Sequence, residues 1–407
     1  MLSSPALFAR RLITWYDRCH RKLPWRTDPA CGDGGESGGA PRPAATNPYH
    51  VLVSEAMLQQ TQVATVVPYF NRFIERFPTL ADLAAADEQE VLRLWQGLGY
   101  YSRARNLRAA ARTVVNEYAG ELPRDRDELL KLPGVGRYTA GAVSSIAFDR
   151  RAAILDGNVV RVLCRIDKIR ADPRERATQD LLWRRAEEVL PRRRVGTFNS
   201  ALMELGAMVC TPRSPQCLIC PVREHCEAFA AGVQETIPPP RKAKETPLLR
   251  RVTFCVRRGE QWLIEQRPPR GRWAGMWQFV TLAAEPADAD AQPAQAPTSP
   301  IAVTKSLQAG LPLRVVRPRH LGTVTHGLTH RRYHFDVIAC ETPDVEPGPA
   351  PGATRVWTTL DGLSRYPLPR PHVKIVEMLK GLSEQGAAPR SEHFAPPSRA
   401  PRIRFKD

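Results

Sequence analysis

Cys210, Cys217, Cys220 and Cys226 stand in the spacing C-x6-C-x2-C-x5-C, and nothing else in this chain constrains its fold so tightly. Thiolates gathered into one short loop are held together by a metal centre or not at all. A sulfur-only ligand set selects zinc or an iron–sulfur cluster over harder cations. Structural zinc sites usually pair two short clips of the form C-x2–4-C. Here only the middle interval is short, and the outer ones are six and five residues. The intervals therefore favour iron–sulfur over zinc.

At 407 residues the chain is long enough for two or three domains. The other five cysteines (Cys19, Cys31, Cys164, Cys255 and Cys340) are scattered without pairing pattern. No secretory signal is expected, because the apolar run Leu12–Tyr16 is short and flanked by arginines. No apolar run approaches the roughly 18 residues of a membrane helix. The expectation is a cytoplasmic protein with reduced thiols and no membrane partner. A formal charge of +17 suits a polyanion such as nucleic acid. Lysine supplies only nine of the 59 basic residues, beside 38 prolines, a bias that a GC-rich genome would also produce. Charge is thus supporting evidence and no more.

Residues 1–226 read as mostly helical. Asn47-Pro48 places a capping side chain before a proline at the first helical position, opening a helix through Val53, Glu55 and Leu58. Asp87-x-x-Glu90 and Asp125-x-x-Glu128 are capping-box patterns. Residues 28–46, rich in Gly, Pro and Ala, read as a surface insertion. After the cysteine loop, 231–247 is proline-rich and basic, as an extended linker would be. The runs Val252–Val256, Trp262–Ile264 and Tyr333–Val337 then favour strands. The expected organisation is a mainly α domain over 1–230, a linker over 231–247, an α+β domain over 248–382 and a disordered tail over 383–407. A second insertion is expected at 285–300.

Three segments carry chemistry. Leu132-Pro133-Gly134-Val135-Gly136 joins two helices, the second running through Tyr138, Ala142, Ile146 and Phe148. Glycines there permit positive φ and close approach, and amides at the following helix N-terminus suit a phosphate. Asp156 ends an apolar run just before a new helix, where a cap is the plain reading. A carboxylate fixed at that point also opposes a cationic sugar transition state. Glu55 lies on a largely apolar helix, so burial would raise its pKa toward neutrality and suit it to general acid work.

Ser54–Gln62, Gly97–Tyr101, Leu132–Tyr138, Leu155–Val159 and the cysteine loop occur in order over about residues 12–226. Together they resemble the adenine DNA glycosylases (the MutY family) of the helix-hairpin-helix, or endonuclease III, superfamily. The resemblance implies a helix-hairpin-helix domain with a [4Fe–4S] cluster on Cys210, Cys217, Cys220 and Cys226. It implies a monomeric bacterial enzyme, associated with the nucleoid, that excises adenine mispaired with 8-oxoguanine or guanine in double-stranded DNA. It makes Glu55 the general acid and Asp156 the stabiliser of the oxocarbenium ion, by charge or transient covalent capture. Tyr138 and Asn158 would hold sugar and water. Endonuclease III-like lyases carry a Schiff-base lysine where Tyr138 stands, and a phenol forms no imine, so monofunctional base removal is implied. The base must leave the duplex to react. Leu58, Gln60, Thr61 and Tyr100 resemble the groups that contact or wedge into DNA, with Gly134 and Gly136 on the phosphate hairpin. Trp25 and Arg26, within Leu23–Arg26, resemble an adenine-pocket wall. Ser200 departs from the Gln or Glu common in the family.

Leu263–Pro268 and Trp273–Phe279 resemble the opening strands of the family's Nudix-like C-terminal domain. A Nudix hydrolase holds magnesium on an R-E-x-x-E-E helix. Residues 281–310 contain no such cluster, so a lesion reader without hydrolysis is expected. Thr325–His330 resembles the family's H-x-F-S-H loop; Leu328 replaces an aromatic, Thr329 replaces serine and keeps its hydroxyl, and His330 closes the motif. Two other readings share some of these residues: a thymine–guanine mismatch glycosylase, and a non-catalytic iron–sulfur module that binds damaged DNA. The first would ordinarily lack the second domain, and the pairing of Glu55 with Asp156 argues against the second.

Overall fold

The computed structural model describes residues 4–26, 46–240, 246–283, 313–328, 331–343 and 354–384. Most of both insertions, the tail beyond the last helix, and Thr329 and His330 lie outside the described residues. Two compact units divide the chain, Met1–Glu245 and Thr246–Asp407.

The first unit is helical, and its helices start where polar caps are available. Asn47 accepts from the amides of Tyr49 and His50, with Pro48 opening the helix Pro48–Leu58. Asp87 caps Glu88–Leu94 and Asp125 caps Arg126–Leu129. A full reciprocal capping box forms at Thr79 and Asp82. Around Phe73, which meets Phe77 and Trp95 edge-on, one part of the core closes. A second part gathers Phe8, Leu12, Val159, Leu163, Phe198 and Leu205 from the helices Pro5–Cys19, Gly157–Ile166 and Val195–Met208. Ile237 joins that core at 1% exposure, and its carbonyl accepts from Arg165 Nε at 2.9 Å. Part of the stretch expected as linker is therefore packed onto the first unit.

The expected hairpin is present as Arg126–Leu129, a turn, and Arg137–Ala142, continued as a π-helix over Val143–Ala147. Gly134 sits at φ +74°, and a Cβ there would fall 2.5 Å from Asn106 Cβ, so both backbone and space demand glycine. Gly136 differs from expectation. Its φ is −93°, which any residue adopts, and open space surrounds the position of a Cβ.

The second unit is a mixed six-stranded sheet in the order β4-β5-β1-β3-β2-β6. Its strands are β1 (Leu248–Arg258), β2 (Gln261–Gln266), β3 (Trp277–Ala283), β4 (Val316–Leu328), β5 (Arg331–Glu341) and β6 (Arg355–Thr358). Only β1 and β5 pair parallel; the other pairs are antiparallel. The helix Arg370–Glu384 covers one face through Ile375 and Leu379, against Phe279, Phe335 and Val337. Among the described residues no helix is long and apolar enough to cross a membrane.

Candidate active site and iron–sulfur loop

Glu55 falls on the inward face of Pro48–Leu58 and is 5% exposed, among Val51, Leu52 and Met57. Burial pushes its carboxyl up to about 7, with the negative charge of Asp156 adding to the rise. The Tyr138 hydroxyl and the Arg26 charge pull the other way. Tyr138, one residue into Arg137–Ala142, donates its hydroxyl to Glu55 Oε2 at 2.6 Å. Met203 Sδ lies 3.2 Å from the same hydroxyl.

Asp156 is the N-cap of Gly157–Ile166: Oδ1 accepts from Val159 N at 2.7 Å and Oδ2 from the Asn158 side-chain amide at 3.0 Å. Burial raises this carboxyl also, while those donors pull it back toward the anion. One side chain thus caps the helix and lines the large cavity. Asn158 is fixed in turn by Arg161, which donates to its Oδ1 at 2.9 Å, to Gly206 O at 2.8 Å and to Cys210 O at 2.7 Å. A Cβ on Gly206 would lie 2.6 Å from Asn158 Cβ, so that glycine is what lets the two helices meet here.

Glu55, Asp156, Tyr138, Asn158, Trp25, Arg26, Leu58, Gln60 and Thr61 all line one cavity of about 910 Å³. Trp25 is 6% exposed and packs edge-on to Phe70, so it forms wall more than platform. Arg26 Nη1 donates to Glu204 Oε2 at 3.1 Å. Glu204 is fully buried and also takes three bonds from Arg21, through its backbone N–H, Nε and Nη2. Ser200, 5% exposed, lines the same cavity one helical turn before Glu204.

Tyr100 and Gly134 line a neighbouring groove of about 250 Å³ that shares Gln59 and Gln60 with the large cavity. Gln60 and Tyr100 both adopt positive φ, +58° and +47°, and Tyr100 is 45% exposed. Such backbone is costly for non-glycine residues and clusters at functional sites. Arg103 holds both segments in place: its guanidinium donates to the carbonyls of Ala56, Met57 and Gln59 and of Leu98 and Gly99. Gly136 lies on the hairpin and lines neither cavity.

Cys210, Cys217, Cys220 and Cys226 line a third cavity with Val162, Ile166, Leu205, Val209, Val222 and Phe229. Arg165 pins the loop, donating to Cys210 Sγ at 3.3 Å and to the carbonyls of Thr211 and Pro212. Burial pushes the Cys220 thiol up to about 12 and raises Cys217 and Cys226, the neighbouring cysteines adding to each rise. Thiolates persist there only against a cationic centre. Among the described residues no three His, Cys, Asp or Glu side chains are set closely enough for one metal ion. Four sulfurs around one apolar space are a sulfur-only donor set of the kind an iron–sulfur cluster takes.

Three residues escaped the reading of the sequence. Glu204 is the one charged residue in Val195–Met208, and that isolation on an apolar helix was the available signal. Met203 and Arg161 carried none; their partners come from other helices.

Residues 53–188 match the HhH-GPD superfamily of base excision DNA repair proteins. Residues 210–226 match the iron–sulfur binding domain of endonuclease III, and 252–378 match a NUDIX domain. The chain is therefore a DNA N-glycosylase of the helix-hairpin-helix class, carrying a [4Fe–4S] cluster that the four cysteines would hold, with a Nudix-type second domain. Similar curated proteins include the adenine DNA glycosylase of Mus musculus, 37% identical over 86% of this chain and 74% of that one. The adenine DNA glycosylase of Buchnera aphidicola subsp. Baizongia pistaciae is 34% identical over 67% of this chain and 73% of its own. A thermostable thymine-DNA glycosylase structure superposes with TM-score 0.47 at 28% identity, over 56% of this chain and 97% of that one. The chain belongs to the adenine DNA glycosylase family.

Proposed function

We propose that this enzyme removes adenine paired with 8-oxoguanine or guanine in duplex DNA, acting as a monomer in the cytoplasm and without cleaving the strand. The observation that carries the reading is the 2.6 Å Tyr138–Glu55 contact inside a cavity that Asp156 also lines. Adenine leaves poorly until N7 is protonated. Glu55, poised near neutrality by burial, gives its proton to N7. The bond from C1′ to N9 then breaks, and the electron pair leaves with the base. The oxocarbenium ion that remains faces Asp156, whose anion is favoured by the Val159 and Asn158 donors. Water completes the sugar and returns a proton to the Glu55 carboxylate. Trp25 and Arg26 wall the base; Leu58, Gln60, Thr61 and Tyr100 probe the duplex; Gly134 and Gly136 open the hairpin amides to a phosphate. Cys210, Cys217, Cys220 and Cys226 would hold the cluster, which when bound would tie the loop Cys210–Cys226 together. The second unit reads the lesion opposite adenine, with Thr329 and His330 as its contacts.

Glu55→Gln should abolish adenine release, a loss of about 10²–10⁴ in single-turnover rate, while mismatch binding persists. Wild-type turnover by that variant would remove Glu55 from the role. Duplexes carrying adenine opposite 8-oxoguanine, adenine opposite guanine and thymine opposite guanine test the substrate: the first two should be cut and the third left intact.

A further inference from the structure

The Tyr138 hydroxyl has one hydrogen and two acceptors within reach, Glu55 Oε2 at 2.6 Å and Met203 Sδ at 3.2 Å. While Glu55 is a carboxylate, the short charge-assisted bond claims that hydrogen. When Glu55 takes up a proton, the balance changes. A proton on Oε2 makes Glu55 a donor to the phenol oxygen, and the phenol hydrogen must turn elsewhere. A proton on Oε1 leaves Oε2 a neutral and weaker acceptor. In both arrangements the sulfur gains what the carboxyl group loses.

We propose that Met203 is a positioning residue for proton delivery, its sulfur accepting the Tyr138 hydroxyl in the state where Glu55 holds the acid proton. Met203 thereby favours the acid form of Glu55 without adding a charge to the cavity. The charged and titratable groups that face Glu55 are few. Asp156 stands before Gly157–Ile166, Tyr138 on Arg137–Ala142, and Arg26 on the segment after Pro5–Cys19. Among the described residues Arg21, Arg161 and Glu204 complete the charged lining of the same cavity. Of these groups Tyr138 bonds to the Met203 side chain, through the hydroxyl–sulfur contact under test, and Met203 is only partly buried. Exchanging it for leucine conserves volume and removes only the acceptor.

The inference rests on Glu55 being the acid, and the experiment separates the two ideas. Adenine release would be followed by single turnover across pH, and the Glu55 carboxyl would be titrated by infrared difference against Glu55→Gln. In Met203→Leu the alkaline limb and the carboxyl titration should both move down by roughly half a pH unit, a fall of about threefold in alkaline rate. Met203→Gln returns an acceptor of similar reach and should sit close to wild type. In a Tyr138→Phe background, Met203→Leu should move nothing. An unmoved limb in Met203→Leu, a Gln variant shifted as far as the Leu variant, or a shift that survives in Tyr138→Phe would overturn the role of Met203 and leave Glu55 as the acid. Wild-type release with no limb tied to the Glu55 titration would overturn both.

Discussion

Glu55 and Glu204 line the same cavity and are 5% and 0% exposed, yet their proton affinities are driven in opposite directions. Burial pushes both carboxyl groups up. Among the described residues Glu55 hydrogen-bonds a neutral phenol and has the negative Asp156 nearby; burial outweighs the opposing Tyr138 bond and Arg26 charge, so it ends near 7. For Glu204 the Arg21 side chain, the Arg26 charge and the Arg21 backbone N–H outweigh burial and hold the carboxyl below its ordinary value. Within one cavity, then, the partner decides which carboxyl stays an anion and which can carry a proton. Glu204 is held in a fixed ion pair that shapes the pocket, and Glu55 is left able to titrate.

The strongest way to break that contrast is to remove the fixed anion. Glu204→Ala leaves Arg26 and part of Arg21 buried against no counter-charge, and breaking such a pair costs about 3–5 kcal/mol. Arg21 keeps 35% of its side chain in water, which places the loss at the lower end. A shifted urea midpoint with unchanged slope would register it, and a midpoint within error of wild type would mean that the arginines re-solvate freely.

Next in size is a gain of stability at Glu55. Glu55 ionises near 4.5 when unfolded and near 7 when folded. Between those values the unfolded chain has released a proton that the folded chain retains, so stability falls as pH rises through that window and the penalty stays constant above it. Glu55→Gln removes the penalty. It should be more stable than wild type at alkaline pH by about 3 kcal/mol, the difference shrinking to nothing in acid. Thermal melts across pH would show this, and a difference independent of pH would contradict it.

Arg161→Leu tests how the second carboxyl of the chemistry is supported. The change frees Asn158, and with it one donor to Asp156. Losing that support should cost roughly 1–2 kcal/mol in transition-state stabilisation, read as a tenfold fall in single-turnover rate with little change in duplex affinity. The smallest effect is expected from Thr329→Ala. The contact proposed for its hydroxyl is one neutral hydrogen bond, whose loss should cut the preference for 8-oxoguanine over guanine opposite adenine by a few-fold, about 1 kcal/mol, and leave both carboxyl titrations where they are. An unmoved preference would remove Thr329 from lesion reading.

Much of the site was legible in the chain because its chemistry is local. Asp156 announces itself as a cap before an apolar helix, and Asn158 lies two residues on. The four cysteines fall within one loop. Gly134 is read from the hairpin, where both its φ and the nearby Asn106 require it. Other parts were not legible, since their partners are distant in sequence. Arg103 gathers carbonyls from two loops, and Glu204 meets arginines that precede it by most of the first unit. Gly136 shows the reverse: the hairpin glycines permit positive φ, yet this one adopts an ordinary extended backbone.

Residue order alone marked the helix starts at Asn47, Asp87 and Asp125, the cysteine clip, and the candidates for acid and anion. Those depend on capping, periodicity and side-chain type, all of which act over a few residues. Only the tertiary structure decided which buried glutamate would be neutralised by arginine and which left to titrate. Folding alone brings residues 55, 138, 156 and 203 to one cavity, and a carboxyl group's proton affinity follows from the water excluded and the charges placed beside it.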